Sequence, residues 1–260
     1  MKTGAAEDDR GTLTQTVTKR TVGVIGGMGP AATVDFLARI IAATPAERDQ
    51  DHIHVLVDSN PAVPDRTAYL RLEGADPRPA LIAMAARLEE AGADFLVMPC
   101  NTAHAFADDI RAELTIPLVD WPSVVADSVA AAGVKQVGIL ASTGTLLADV
   151  YREPLEKRGI RSVVPTQSGQ AKVMRAIYGS EGVKHLGPAS PLARQDLLAG
   201  ALDVIDLGAA AVILACTEFS AINAVHNLEV RVPVLDASEI VARHVVARAL
   251  GLADLAATVQ

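Results

Sequence analysis

The sequence is poor in aromatic residues. Only 3% of its 260 positions are Phe, Trp or Tyr, against 50% hydrophobic residues in all. The core therefore has to be built mostly from Ala, Val, Leu and Ile. Cysteine is scarce too: Cys100 and Cys216 are the two in the chain. That excludes a disulfide framework, and neither cysteine has the CxxC partner typical of a structural zinc site. His104 is the only histidine near Cys100. No run approaches the ~18 apolar residues that a membrane span requires. The opening stretch, MKTGAAEDDRGTLTQTVTKR, is polar and has no apolar period. It lacks the hydrophobic centre of a signal peptide. Positive charge is also short: 23 Lys and Arg stand against 31 Asp and Glu, a net charge of −8. No basic stripe is visible, which argues against nucleic acid as a partner. A local Arg or Lys still suffices to reverse the field inside a cleft that takes a small anion. Together these absences lead us to expect a soluble cytoplasmic protein, with no membrane partner.

What is present alternates regularly. RTVGVIG reads as a buried strand, and PAATVDFLARIIAAT as a helix with Pro30 at its first position. HIHVLVDS, ADFLVMP and KQVGIL read as further strands, separated by helical patterns. One of those helices opens at Asp76-Pro77 and another near Pro122. Strand–helix–strand repetition of this kind predicts parallel sheets with crossover helices.

Gly27, Gly29 and Ala32 in GVIGGMGPAATVDF fit G-x-G-x-x-[GA], a dinucleotide-binding pattern. Asp58, at the end of the next strand, would then bind a ribose. The spacing is wrong for that reading: Asp58 lies 29 positions after Gly29, where about 20 is usual, and Pro30 stands inside the motif.

A comparison of the chain with itself is more informative. GADFLVMPCNTAHAF aligns with GAAAVILACTEFSAI, which sets the two cysteines 116 positions apart. IPLVD aligns with VPVLD at the same offset, Pro117 over Pro233 and Asp120 over Asp236, without a gap. Upstream, VGVIGGMGP resembles VGILASTGT, with Gly29 over Gly144. The expected fold is two similar three-layer α/β/α halves, each with a mostly parallel sheet, related by a pseudo-twofold axis. The expected division is a polar tail over 1–19, a first unit of 20–119 completed by 233–260, and a second of 120–232. Each half carries one cysteine just past a strand's carboxyl end, where ligands bind in open parallel sheets. If the halves face each other, the cysteines meet across one cleft.

Two thiols in that arrangement imply a reaction. Each lies between a strand end and a helix start, where free N–H groups and the helix dipole favour a thiolate. An ordinary thiol pKa of about 8.5 needs only a modest shift to serve as a base near neutrality. One thiolate removes a proton from a carbon, and the opposite thiol delivers one to the other face. The stereocentre inverts. Near-mirror-image substrates also explain a near-symmetric protein.

GGMGP, NPAVPDRT (60–67), PCNTAH (99–104) and ACTEF (215–219) occur in this order, and with them the chain resembles the aspartate/glutamate racemase superfamily over roughly 22–250. Glu218 stands where the glutamate racemase branch has His after its second Cys-Thr, which places the resemblance with the aspartate racemases. The resemblance implies a racemase that needs no pyridoxal phosphate, with two α/β domains, the active site between them, a small acidic amino acid as substrate, and a homodimer. It also implies roles. Cys100 and Cys216 would be the acid–base pair, Arg66 would bind a substrate carboxylate, and Lys184 would hold the other. Met28, Asn101, Thr102, Thr217 and Glu218 would line the site, and Thr143 would add a hydrogen bond. Glu218 would alternatively accept from the substrate ammonium. His104 tunes Cys100 or simply packs, and Trp121 is read as packing. No cofactor or metal is expected. Hydantoin racemases and maleate isomerases resemble the same pattern and also use two cysteines. A binding protein on a dead racemase scaffold would need neither.

Overall fold

The computed structural model describes residues 19–252; the tail expected over 1–19 falls, apart from Lys19, outside the described residues. The elements follow in the order β1 (Val22–Gly26), α1 (Pro30–Ala43), β2 (Val55–Ser59), α2 (Arg66–Leu70), α3 (Arg78–Glu90), β3 (Phe95–Val97), α4 (Ala107–Ala112) and α5 (Trp121–Ala131). The second half brings β4 (Gln136–Ala141), α6 (Thr143–Leu147), α7 (Arg152–Glu156), β5 (Arg161–Val163), α8 (Gln167–Tyr178) and α9 (Val183–Leu186). It ends with α10 (Pro191–Asp206), β6 (Ala211–Ala215), α11 (Thr217–His226), β7 (Val234–Asp236) and α12 (Ala237–Ala249). α1 starts at Pro30 as expected, because proline's fixed φ suits the first helical turn and its missing N–H has no partner there to lose.

Every strand pair is parallel. Crossover helices therefore cover the sheets, and β1 and β6 are buried at every residue, which is why they read as unbroken apolar runs. The first sheet has the order β2-β1-β3, and the second β5-β4-β6-β7. A parallel bridge between Leu96 and Leu118 continues the first sheet to a fourth position. Leu96 faces Leu118 as Val212 faces Val234, so the internal repeat holds in register. The caps repeat as well: the Asp120 side chain accepts from the Ser123 N–H at the start of α5, and Asp236 accepts from Ser238 and Glu239 at the start of α12. The molecule consists of two α/β halves of like topology.

One boundary differs from the sequence division. β7 hydrogen-bonds to β6 and belongs to the second sheet, although residues from 233 onward were assigned to the first unit. The backbone ladder decides this. α12, which follows β7, does pack against α1 of the first half.

Each half has an apolar core, and a third cluster joins them, including Phe36, Trp121, Val137, Ile213 and Val245. Half of the few aromatics lie there, and Trp121 is fully buried, with its ring centroid 5.4 Å from that of Phe36. Burial of each such side chain contributes about 1.5–3 kcal/mol, so the shared cluster fixes how the halves meet. No helix among the described residues is long and apolar enough to cross a membrane.

Candidate active site

The loops after β3 and β6 bring Cys100 and Cys216 to one cavity between the halves. The local settings differ. Cys216 is the N-cap residue of α11, whereas Cys100 precedes a short 3₁₀ turn, Thr102–Phe106, rather than an α-helix. Each glycine loop presses on the other half. A Cβ on Gly29 would stand 3.5 Å from the Glu218 carboxylate and 3.6 Å from Lys184 Nζ. One on Gly144 would come within 2.6 Å of Thr67 Oγ1 and 2.9 Å of the Thr102 methyl. Thr102 and Glu218 occupy equivalent positions of the repeat, so these reciprocal contacts express the pseudo-twofold axis at the cleft. Gly27 is needed for another reason: its φ is +91°, and a Cβ there would run into the Asn60 backbone.

Arg66 is buried, and it opens α2 behind the capping carboxylate of Asp65. Its Nη1 donates to the carbonyls of Val63 and Pro64 at 3.2 and 3.0 Å, and its Nη2 to that of Met28 at 3.3 Å. Its Nε has no partner among the described residues. The guanidinium is thus held from behind with donors left for a carboxylate. Burial works against its charge, but Cys100 and Asp65 outweigh that and raise its pKa.

Among the described residues, Glu218 is the only carboxylate lining the cavity. Its Oε1 accepts from Lys184 Nζ at 2.8 Å, and its Oε2 from Cys216 Sγ at 3.0 Å. Burial pushes its pKa up, yet Lys184 overcomes this and leaves it below the ordinary value. Lys184 is likewise raised, its own burial being outweighed by Glu218. Burial and the Glu218 charge both push the Cys216 thiol well above its usual range. Burial first, and then the adjacent Glu218 carboxylate, thus act against the helix-stabilised thiolate expected at the start of α11.

Hydroxyls and an amide complete the wall. Thr102 Oγ1 lies 2.9 Å from Ser142 Oγ and 2.8 Å from Thr145 Oγ1, a cluster that bridges the halves. Asn101 Oδ1 accepts from the Tyr151 hydroxyl, while Asn101 Nδ2 is buried without a partner among the described residues. Tyr178 Oη donates across the cleft to Asp65 Oδ2 at 3.1 Å. The enclosed space is about 20 Å³, room for about one water. A cavity of about 360 Å³ adjoins it, sharing Met28, Arg66, Lys184 and Glu218. A larger cavity of about 700 Å³, between α5 and α12, shares no lining residue with the thiols.

Nine of the ten residues expected at the site line this one cavity: Met28, Arg66, Cys100, Asn101, Thr102, Lys184, Cys216, Thr217 and Glu218. Thr143 does not. Its hydroxyl is engaged by Gln170 Nε2 at 3.2 Å, and the neighbouring Ser142 takes its place. Thr67, Ile177 and Tyr178 also line the cavity and were not anticipated. His104 turns away from the thiols. Its Nε2 lies 3.1 Å from the Met98 carbonyl, and burial lowers its pKa to about 4, so it packs as a neutral ring.

The sequence model of the Asp/Glu/hydantoin racemase family matches residues 25–245. The chain belongs to that family. It is similar to the broad specificity amino-acid racemase RacX of Bacillus subtilis, 26% identical over 231 residues, 86% of this chain and 96% of that protein. Among solved structures it resembles the aspartate racemase of Picrophilus torridus, with a TM-score of 0.74 and 28% identity over 88% of this chain and 94% of that one. A glutamate racemase from Francisella tularensis, solved with D-glutamate, shares the fold at a TM-score of 0.66 and 16% identity, over 89% and 81% of the two chains. The relatives named here are amino acid racemases.

Proposed function

We propose that the protein interconverts L- and D-aspartate, with glutamate as the nearest rival substrate, using Cys100 and Cys216 as the acid–base pair and no pyridoxal phosphate. One observation carries the reading: equivalent positions of an internal repeat deliver two thiols to one cavity, whose wall also holds two cations, Arg66 and Lys184. Arg66 takes the α-carboxylate on its unpartnered Nε edge. One thiolate removes the Cα proton while the other thiol protonates the opposite face. The free Asn101 Nδ2–H stabilises the enolate-like charge that develops on the carboxylate. Lys184 holds the side-chain carboxylate with the two N–H donors that Glu218 leaves, and Glu218 accepts from the substrate ammonium. The protein acts in the cytoplasm as a homodimer, which the family resemblance suggests.

The test is proton NMR of the purified protein in D₂O with L-aspartate or L-glutamate and no added pyridoxal phosphate. Loss of the Cα proton signal with appearance of the D-enantiomer supports the proposal. Absence of exchange with any amino acid sinks it. The Lys184–Glu218 ion pair favours a second reading, racemisation of neutral amino acids, because Lys184 already has an anionic partner. Exchange faster with alanine or a neutral aliphatic amino acid than with aspartate selects that reading.

A further inference from the structure

Glu218 has no counterpart beside Cys100; the equivalent residue there is Thr102. The contact it makes has a direction. A carboxylate accepts hydrogen bonds and cannot donate, so the 3.0 Å approach of Cys216 Sγ to Glu218 Oε2 is a hydrogen bond only while Cys216 keeps its proton. Lys184, 2.8 Å from the other oxygen, holds the carboxylate ionised. Removing the Cys216 proton would set two anions in contact inside a site that excludes bulk water. The surroundings of Cys100 are of the opposite kind. Arg66, the unpartnered Nδ2 of Asn101 and the Thr102 hydroxyl share its wall.

We infer that Glu218 sets the two thiols apart, holding Cys216 as the acid of the empty site and leaving Cys100, beside Arg66, as its base. This rests on the reading of the two cysteines as the acid–base pair, and it makes Glu218 a positioning residue acting through Cys216. The other charged or titratable groups facing the pair are Lys184 from α9, Tyr178 from the end of α8, Arg66 from α2 and Tyr151 ahead of α7, whose hydroxyl donates to Asn101 Oδ1. Asp65 is engaged by Tyr178 and the Ala68 N–H, and His104 faces the Met98 carbonyl. In the forward step Cys100 Sγ gains the Cα proton and the Cys216 S–H bond breaks to protonate the opposite face. A Cys100 thiol and a Cys216 thiolate result. Beside Glu218 that thiolate is the less stable arrangement, so proton exchange with solvent returns the emptied site to its starting form.

The test reads the thiols rather than turnover. Full-length protein is treated with iodoacetamide over a range of pH, and alkylation of each cysteine is followed by peptide mass spectrometry. The midpoint of each rate profile is compared, since midpoints do not depend on access. Cys216 should titrate at least about one pH unit above Cys100. Glu218→Gln should lower the Cys216 midpoint by about one unit, roughly tenfold faster labelling at a fixed lower pH, and leave Cys100 unmoved. Equal midpoints in the unaltered protein, or a Cys216 midpoint indifferent to the substitution, overturn the inference. If Glu218→Gln fails to fold, ¹³Cβ-cysteine NMR titration of the unaltered protein reads the same two midpoints. Split midpoints without Cα exchange on any amino acid would defeat the racemase reading and leave only the separation of the two thiols by Glu218 standing. Exchange with equal midpoints would do the reverse.

Discussion

The two cysteine loops lie at equivalent places in two sheets of like topology, yet they differ in nearly every polar detail. Cys100 precedes a 3₁₀ turn and has a guanidinium and an amide for neighbours; Cys216 caps a ten-residue helix and shares a hydrogen bond with a carboxylate. The backbone features kept in both halves are those that aim the side chains: strand register, the capping aspartates and the paired glycines. The side chains between the thiols carry no such repetition. A pseudo-twofold frame can place two acid–base groups on opposite faces of one carbon, but it does not make them alike. A proton donor and a proton acceptor need different surroundings at any one moment.

The sharpest way to break the comparison is to remove one thiol. Cys100→Ser or Cys216→Ser should lower kcat/KM for racemisation by about 10³-fold, within the usual range for loss of a positioned acid or base. One-sided Cα–deuterium exchange should survive with opposite enantiomers in the two variants, as followed by NMR and chiral chromatography. Equal exchange of both enantiomers in either variant would end the two-thiol description. Arg66→Lys comes next. It keeps the charge beside Cys100 but loses the planar fork, and a loss of about 2 kcal/mol, roughly 30-fold in kcat/KM with most of it in KM, is expected from steady-state kinetics.

His104 and Ser220 are equivalent residues that do different work. Ser220 donates to Asp236 at 2.6 Å, while His104 is buried as a neutral ring. Below its ordinary pKa of about 6.5 an unfolded His104 takes up a proton that the folded protein refuses until about pH 4. Folding stability should therefore fall as pH drops through that window, by about 2 kcal/mol between about pH 6 and 4.5 from this residue. Urea melts of His104→Gln should show a shallower slope. The smallest effect separates the glycines. Gly144→Ala meets Thr67 and Thr102 at 2.6 and 2.9 Å, while Gly29→Ala finds ordinary contacts at 3.5 and 3.6 Å. The first should cost about 1 kcal/mol, overpacking being partly offset by better helix propensity. The second should stay within about 0.5 kcal/mol in the same denaturation assay.

Much of this arrangement is legible in the amino-acid sequence, because repetition leaves offsets that can be counted. The 116-residue displacement pairs Cys100 with Cys216 and Pro117 with Pro233, and the same displacement reappears as strand register. Arg66 and Lys184 are polar residues in turn-rich motifs, and they lie at the cavity. What escapes has a different origin. Tyr178 is the last residue of α8 and reads as an ordinary helix terminus; only the tertiary fold carries its hydroxyl to Asp65. Ser142 and Thr143 are adjacent hydroxyl residues, and the choice between them depends on which one caps α6. Ser142 does, its side chain accepting from the Thr145 N–H at 3.2 Å. The boundary at 233 was missed because a strand's partner is a matter of backbone hydrogen bonds that composition does not record.

The Asp65 carboxylate acts as a brace. One oxygen pins the first turn of the helix that begins at Arg66, and the other is tied to Tyr178 from the opposite half. The helix that opens with Arg66 is therefore braced from both halves at once, from its own first turn and from the end of α8. A hydrogen bond to a charged acceptor contributes up to about 1.5–3 kcal/mol, and here it couples the placing of the Arg66 guanidinium to the packing of the opposite half.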